Sequence, residues 1–256
     1  MNKYAFPEAK CIVVCGDIHG EFYQLIHKCC VHYGMTDTVI IVAGDCGFGF
    51  ESRDYYEAVY KKLQKRLASS NCWLVMLRGN HDNPAYFNSY PIKHRRFLTI
   101  PDYSVIEVCN HKILCVGGAI SVDRSYRKTS TKYHKSQDKE PLAPNIYWSD
   151  EAPFLNTSLL DEINKSCIID IVITHTAPSF CELVSKTGLL GWFAEDDCLM
   201  NDLKLEREVM DKLHDTLVRH QFPRYWFYGH FHQSWHCKID NVMFRMLDIM
   251  ELHEIH

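Results

Sequence analysis

Five short motifs carry side chains able to bind metal ions or move protons: Gly16-Asp17-Ile18-His19-Gly20, Gly44-Asp45, Arg78-Gly79-Asn80-His81-Asp82, Thr174-His175-Thr176 and Gly229-His230-Phe231-His232. Each follows directly on an apolar run, at 11–15, 39–43, 73–77, 168–173 and 225–228. A short apolar run bounded by turn residues reads as a buried strand, and its end is where the backbone turns and side chains can face something other than the core. Asp17, His19, Asp45, Asn80, His175, His230 and His232 are therefore expected at the carboxyl ends of strands, the edge at which open α/β sheets bind ligands. Seven ligands of mixed oxygen and imidazole type suit two divalent ions, Mn²⁺ first, with Fe or Zn²⁺ as alternatives, better than one. Two ions ~3.5–4 Å apart need a shared carboxylate, and Asp45, mid-order in the set, is the natural bridge. Two dications against two Asp charges leave a positive pocket, suited to a phosphoryl group and to an acidified bridging water. Any one motif recurs by chance in many chains. Five in order, each at a strand end, are hard to explain as ordinary turns.

The elements that must position these groups alternate in the first half: strand 11–15, helix about 21–33, strand 39–43, helix about 52–69, strand 73–77. Such alternation indicates βαβ crossovers and a parallel sheet. Tyr55, Val59, Leu63 and Leu67 give the second helix one apolar face. Residues 103–108 and 112–116 flank Cys109-Asn110-His111 as a hairpin, so the sheet is expected to be mixed. The pattern then breaks at about 121–157, a polar, Pro-containing stretch of the length usual for a lid or binding loop. A helix at 158–164, strand 168–173, an irregular patch at 178–200 and a helix at about 206–220 follow. Strands 225–228, 234–239 and 243–247 read as a closing β-meander of a second sheet.

With 256 residues, one α/β domain over 1–256 carrying the 121–157 insertion is the simplest organisation. A net charge of −4 gives no basic stripe and argues against long nucleic acid as partner. Twelve Cys are scattered without a Cys-x-x-Cys pair and read as reduced thiols. Glu8 and Pro7 near the start do not resemble a signal peptide, and no apolar run reaches the roughly 20 residues of a membrane span. A cytoplasmic protein without membrane partners is the expectation.

The motif order Gly-Asp-x-His, Gly-Asp, Gly-Asn-His-Asp, His and Gly-His-x-His over residues 16–232 resembles the calcineurin-like metallophosphoesterase superfamily. The wording around Asp17 and Asn80 is similar to serine/threonine phosphoprotein phosphatases. The resemblance implies a four-layer α/β/β/α sandwich of two mixed sheets, the metallo-dependent phosphatase fold. It implies one metal on Asp17, His19, Asp45 and His232, and a second on Asp45, Asn80, His175 and His230. It also gives His81 a catalytic role at the transition state or the leaving oxygen. The implied reaction is hydrolysis of a phosphate ester by a metal-bound hydroxide, with a phosphomonoester on a protein or small metabolite as substrate. Diesters, nucleotides or dinucleoside polyphosphates are the alternative substrates, and a non-catalytic scaffold is the alternative of another class. The phosphatases' Asp-Arg pair after Gly-Asp is missing, replaced by Phe48 and Gly49. Arg124 and Arg127 in the insertion are the candidate phosphate-binding groups, because a guanidinium fork matches phosphate oxygens. Solvated loop arginines are the other reading. Asp82 reads as a turn-forming or supporting residue, Trp148, Trp192 and Trp235 as packing residues, and His253 and His256 as exposed.

Overall fold

The apolar runs become strands covered on both faces, which is why they carry Val and Ile at successive positions rather than alternate ones. The computed structural model describes residues 1–130, 132–133, 140–183 and 187–255, and the expectation for His256 lies outside them. The strands among the described residues are β1 (Lys3–Ala5), β2 (Cys11–Cys15), β3 (Thr38–Val42), β4 (Trp73–Met76), β5 (Lys93–His94), β6 (Phe97–Thr99), β7 (Ser104–Val108), β8 (His111–Val116), β9 (Ile171–Thr174), β10 (Tyr225–Tyr228), β11 (Trp235–Ile239), β12 (Val242–Met246) and β13 (Leu252–Ile255). The helices are α1 (Phe22–His27), continued by a π-helical turn at Lys28–His32, α2 (Arg53–Ser69), α3 (Arg124–Thr129), α4 (Thr157–Ser166), α5 (Leu190–Glu195) and α6 (Leu199–His220).

One sheet has the order β13-β2-β3-β4-β6-β5 and the other β1-β7-β8-β9-β10-β12-β11. Both are mixed: β2, β3, β4 and β6 run parallel with antiparallel β13 and β5 at the edges, while β8, β9, β10 and β12 run parallel beside antiparallel β7 and β11. Period-two alternation sorts side chains between layers. Val39, Ile41, Val75 and Leu77 meet Ile113, Ile171, Ile173 and Phe227 in a core between the sheets. Ile40, Val42, Leu74 and Met76 turn the other way, onto Phe22, Leu25, Val59 and Leu67 of α1 and α2. Val172, Trp226 and Tyr228 turn outward onto Leu160, Ile163, Met210, Leu213 and Leu217 of α4 and α6. Helices thus cover the outer face of each of two packed mixed sheets, the α/β/β/α arrangement.

Several expectations need correction. Tyr55 is 42% exposed, and Tyr56 takes its place on the buried face of α2, because the face begins one residue later than the four-residue spacing implied. The C-terminal strands are no meander: β10 pairs parallel with β12, and β11 pairs antiparallel with β12 as the outer strand. Trp235 on that edge is 39% exposed rather than packed. His253 lies in β13, half-buried against the Phe227 ring at 5.1 Å. Inside the stretch read as irregular, α3 forms at 124–129, and α6 begins at Leu199, earlier than expected.

Candidate metal centre

The loops after β2, β3, β4, β9 and β10 converge on one edge because their backbones are laced together. Ile18 and His19 donate their N–H groups to the Asp45 carbonyl at 3.1 and 2.8 Å, and Gly20 donates to Cys46 at 2.9 Å. His81 N–H donates to Asp45 Oδ1 at 2.7 Å, and His230 N–H to Asp17 Oδ1 at 3.0 Å, so backbone donors from other loops orient both carboxylates. Two glycines are there for close approach. A Cβ on Gly79 would stand 2.1 Å from Asp45 Oδ1, and one on Gly229 would stand 2.1 Å from Asp17 Oδ1. Four of the seven expected ligand residues adopt left-handed backbone: His19 (φ 43°), Asp45 (φ 47°), His230 (φ 69°) and His232 (φ 51°). Such conformations cost non-glycine residues of order 1–3 kcal/mol each and cluster at functional sites.

The side chains form two donor groups. The ligand atoms of Asp17, His19, Asp45 and His232 all lie within 4.8 Å of one another. His232 Nε2 is 3.0 Å from Asp17 Oδ2, and the Nε2 atoms of His19 and His232 are 3.2 Å apart. Beside them, Asn80 Oδ1 sits 3.0 Å from both His175 Nε2 and His230 Nδ1, and His175 Nε2 is 3.2 Å from Asp45 Oδ1. Asp45 thus belongs to both groups.

The donor chemistry fits cations. His175 Nδ1 lies 2.7 Å from the Ala43 carbonyl, so it is the nitrogen that donates. In the neutral ring that leaves the Nε2 lone pair facing two oxygens, an arrangement that needs either a second proton or a cation between them. Burial alone would lower the His175 pKa, but the charge and hydrogen bond of Asp45, with Asp17 and the Ala43 carbonyl, outweigh it and push the ring up to about 9. Asp45 shows the converse: burial would raise it, yet the surrounding imidazoles hold it well below the usual carboxylate range. His230, buried beside His175, is driven well below its ordinary value, first by burial and then by that neighbour. A carboxylate, amide and imidazole set of this kind is one that divalent transition ions hold.

His81 lies next to this centre, its ring 5.2 Å from that of His19. Burial lowers its pKa, and the Arg127 charge adds to that against the pull of Asp45. The two candidate arginines part company. Arg127 Nη2 lies 2.8 Å from His81 Nε2, while its Nε donates to Asp123 at 2.8 Å and its Nη1 to the Ile146 carbonyl at 3.0 Å. Arg124, three residues earlier on the helix, instead pairs with Asp196 at 2.7 Å and Asp202 at 2.6 Å, and is not brought to the cluster. Phe48, at the position of the missing Asp, is fully buried in the aromatic core with Phe22, Tyr56 and Phe97.

Asp82 is fully buried and accepts four backbone N–H groups: Cys46 and Gly79 on Oδ2, Gly47 and Phe48 on Oδ1. Burial and the Asp45 charge push it up to about 7, against those donors. It therefore ties the loop after β3 to the loop after β4, the supporting role its place in the motif implied. Sequence reasoning missed Ser121 and Glu151, which stand behind Asn80, and no motif marks either. A cleft of about 340 Å³ opens beside the centre, lined by His19, Gly20, Glu21, Gly47, Phe50, Glu51, Tyr55 and His81. Trp148 is buried behind its Phe50 wall, with the ring centroids 5.5 Å apart. Among the described residues no helix is long and apolar enough to cross a membrane.

Residues 12–234 match the Calcineurin-like phosphoesterase family. The chain belongs to this family. It is 27% identical over 162 residues to the Serine/threonine-protein phosphatase 6 catalytic subunit of Caenorhabditis elegans, covering 56% of this chain and 47% of that relative. It is 28% identical over 127 residues to Serine/threonine-protein phosphatase ppe1 of Schizosaccharomyces pombe, covering 43% of this chain and 39% of the relative. The matches thus span less than half the length of either phosphatase. The crystal structure of TT1561 of Thermus thermophilus superposes with a TM-score of 0.54 over 96% of this chain and 98% of the other at 11% identity, a likeness of fold alone.

Proposed function

We propose that the chain is a dinuclear metal-dependent phosphoesterase acting on phosphomonoesters, either phosphoproteins or small phosphorylated metabolites. The observation that carries this reading is the sharing of Asp45 between the two donor groups, with its Oδ1 at 3.2 Å from His175 Nε2. Asp17, His19, Asp45 and His232 would hold one ion, and Asp45, Asn80, His175 and His230 the other, with Mn²⁺, Fe or Zn²⁺ as occupants. Bound there, the ions would supply Lewis-acid charge and an acidified water to a phosphate ester. The chain's own residues do the rest. Arg127 presents a guanidinium to the phosphoryl oxygens, fixed by Asp123 and the Ile146 carbonyl. His81, beside Arg127 and His19, would stabilise the transition state or assist the leaving oxygen. Arg124 is left out of the substrate site, because its guanidinium is turned to Asp196 and Asp202. The phosphatase names of the curated relatives favour the monoester.

In this reading residues 1–256 form one domain, and α3, within the 121–157 insertion, brings Arg127 to His81. Twelve unpaired cysteines fit a reducing, cytoplasmic setting. The test is Mn²⁺-stimulated hydrolysis of p-nitrophenyl phosphate beside bis-p-nitrophenyl phosphate, with Asp45→Asn as the blank. A monoester preference abolished by Asp45→Asn is expected. A diester preference would move the substrate to nucleotides. No hydrolysis of either ester, with no bound metal, would leave a scaffold.

A further inference from the structure

Asn80 has two ends of nearly equal size, and only the oxygen end can bind a cation. Something must decide which end faces the centre. Asn80 Nδ2 donates to Ser121 Oγ at 3.0 Å. Ser121 Oγ–H in turn donates to Glu151 Oε2 at 2.6 Å, and Ser121 N–H donates to Glu151 Oε1 at 2.8 Å. All three residues are buried, at 4%, 1% and 2% exposure. Burial pushes the Glu151 carboxyl up to about 8, against its hydrogen bonds from Ser121. In its ionised form, above that pH, it only accepts, so it takes the one hydroxyl proton of Ser121. That hydroxyl oxygen is then left to accept from Asn80 Nδ2. The polarity of the whole chain is set at Glu151. The backbone around Glu151 is fixed separately: Arg78, from the ligand loop, donates to the carbonyls of Glu151 at 2.7 Å and Ala152 at 3.0 Å and pairs with Asp102 at 2.9 Å.

We propose that Ser121 and Glu151 are positioning residues that fix the Asn80 amide so that its oxygen faces His175 and His230. The proposal rests on the two-ion reading of the site. Glu151→Gln is its sharpest test, because the new side chain has the same shape but one donor end. Ser121 already presents two donors to residue 151. If the Gln nitrogen faces the hydroxyl, the hydroxyl must accept and turn its proton toward Asn80. Asn80 then has to rotate and show Nδ2 to the centre.

The experiment is calorimetric titration of the metal-free protein with Mn²⁺ at a pH above 8, where Glu151 is ionised, with melting curves to verify folding. Loss of a partner behind a metal ligand weakens affinity about 10–100-fold. Glu151→Gln and Ser121→Ala are expected to weaken one of the two ions by that factor and to leave the other unchanged. Asn80→Asp presents oxygen at both ends, so adding Glu151→Gln to it should cause no further loss, an interaction read as a double-mutant cycle. Ser121→Ala, which removes only a hydroxyl, carries the test if Glu151→Gln does not fold. Two ions bound by Glu151→Gln as tightly as by the wild type would overturn the relay alone. An equal further loss in the Asn80→Asp background would also overturn it, marking Glu151 as mere support. A wild-type protein that takes up no Mn²⁺ would overturn both the relay and the two-ion reading.

Discussion

Replacing Arg127 by Ala, alongside Arg124→Ala, separates two arginines that lie three residues apart on one helix. Arg127 aims Nη2 at His81 from 2.8 Å, with its other nitrogens held by Asp123 and Ile146. A charge-assisted hydrogen bond contributes about 1.5–3 kcal/mol, and a preorganised donor to charge developing in a transition state about 2.7–4 kcal/mol. At about 1.36 kcal/mol per tenfold, Arg127→Ala should lower kcat/KM roughly 10²–10³-fold. Among the described residues the Arg124 guanidinium pairs with Asp196 and Asp202, both partly exposed, so its removal should cost stability of about 1–3 kcal/mol. At roughly 2–4 °C per kcal/mol that is a lowered Tm, with turnover by the folded enzyme close to wild type. The assay is Mn²⁺-dependent p-nitrophenyl phosphate hydrolysis paired with thermal melts. An Arg127→Ala enzyme within about tenfold of wild type, or an Arg124→Ala enzyme equally impaired with an unchanged melt, would refute the assignment.

Asp82→Ala should leave four buried N–H groups without an acceptor. Even at about 1 kcal/mol each the loss is about 4 kcal/mol, a fall in Tm of roughly 8–16 °C; a drop of only a few degrees would show that water replaces the carboxylate. Hydrogen bonding to Arg124 holds the Asp196 carboxyl down at about 2, against an ordinary value of 3.8. Because the folded pKa is the lower one, its stabilisation is present above about pH 4 and is lost as pH falls toward 2. The gap in Tm between wild type and Arg124→Ala should therefore narrow over that interval; a constant gap would mean that the ion pair contributes nothing.

The edge where these Asp, Asn and His residues gather was legible because its signal is local: an apolar run, a glycine, then an Asp, Asn or His. The close approaches at Gly79 and Gly229 explain why those glycines accompany the ligands. What stayed hidden depends on partners distant in sequence. Arg124 and Arg127 look alike as residues, and only the placement of Asp196, Asp202 and His81 tells them apart. The short strands β1, β5, β6 and β13, at or next to sheet edges, have two to four residues each, too few for a periodic pattern. The parallel pairing of β10 with β12 skips β11, which the sequence order of three consecutive strands conceals. Glu151 has no neighbouring motif, because its role arises from Arg78 and Ser121.

The donors of the centre are drawn from the full length of both sheets. Asp17 and His230 are 213 residues apart, and His175 and Asn80 are 95 apart. Contacts of such separation form late, since each closes a long loop before any interaction compensates for it. A half-folded chain with only the six-stranded sheet in place would offer Asp17, Asp45 and Asn80 but neither His175 nor His230. In the two-ion reading, tight uptake of both ions would thus be a mark of completed folding and would act back on the fold as a latch between the sheets. At a free ion concentration of 100 times Kd that latch would add about 2.7 kcal/mol to global stability. Metal supply would then set how long the molecule lasts as well as whether it turns over.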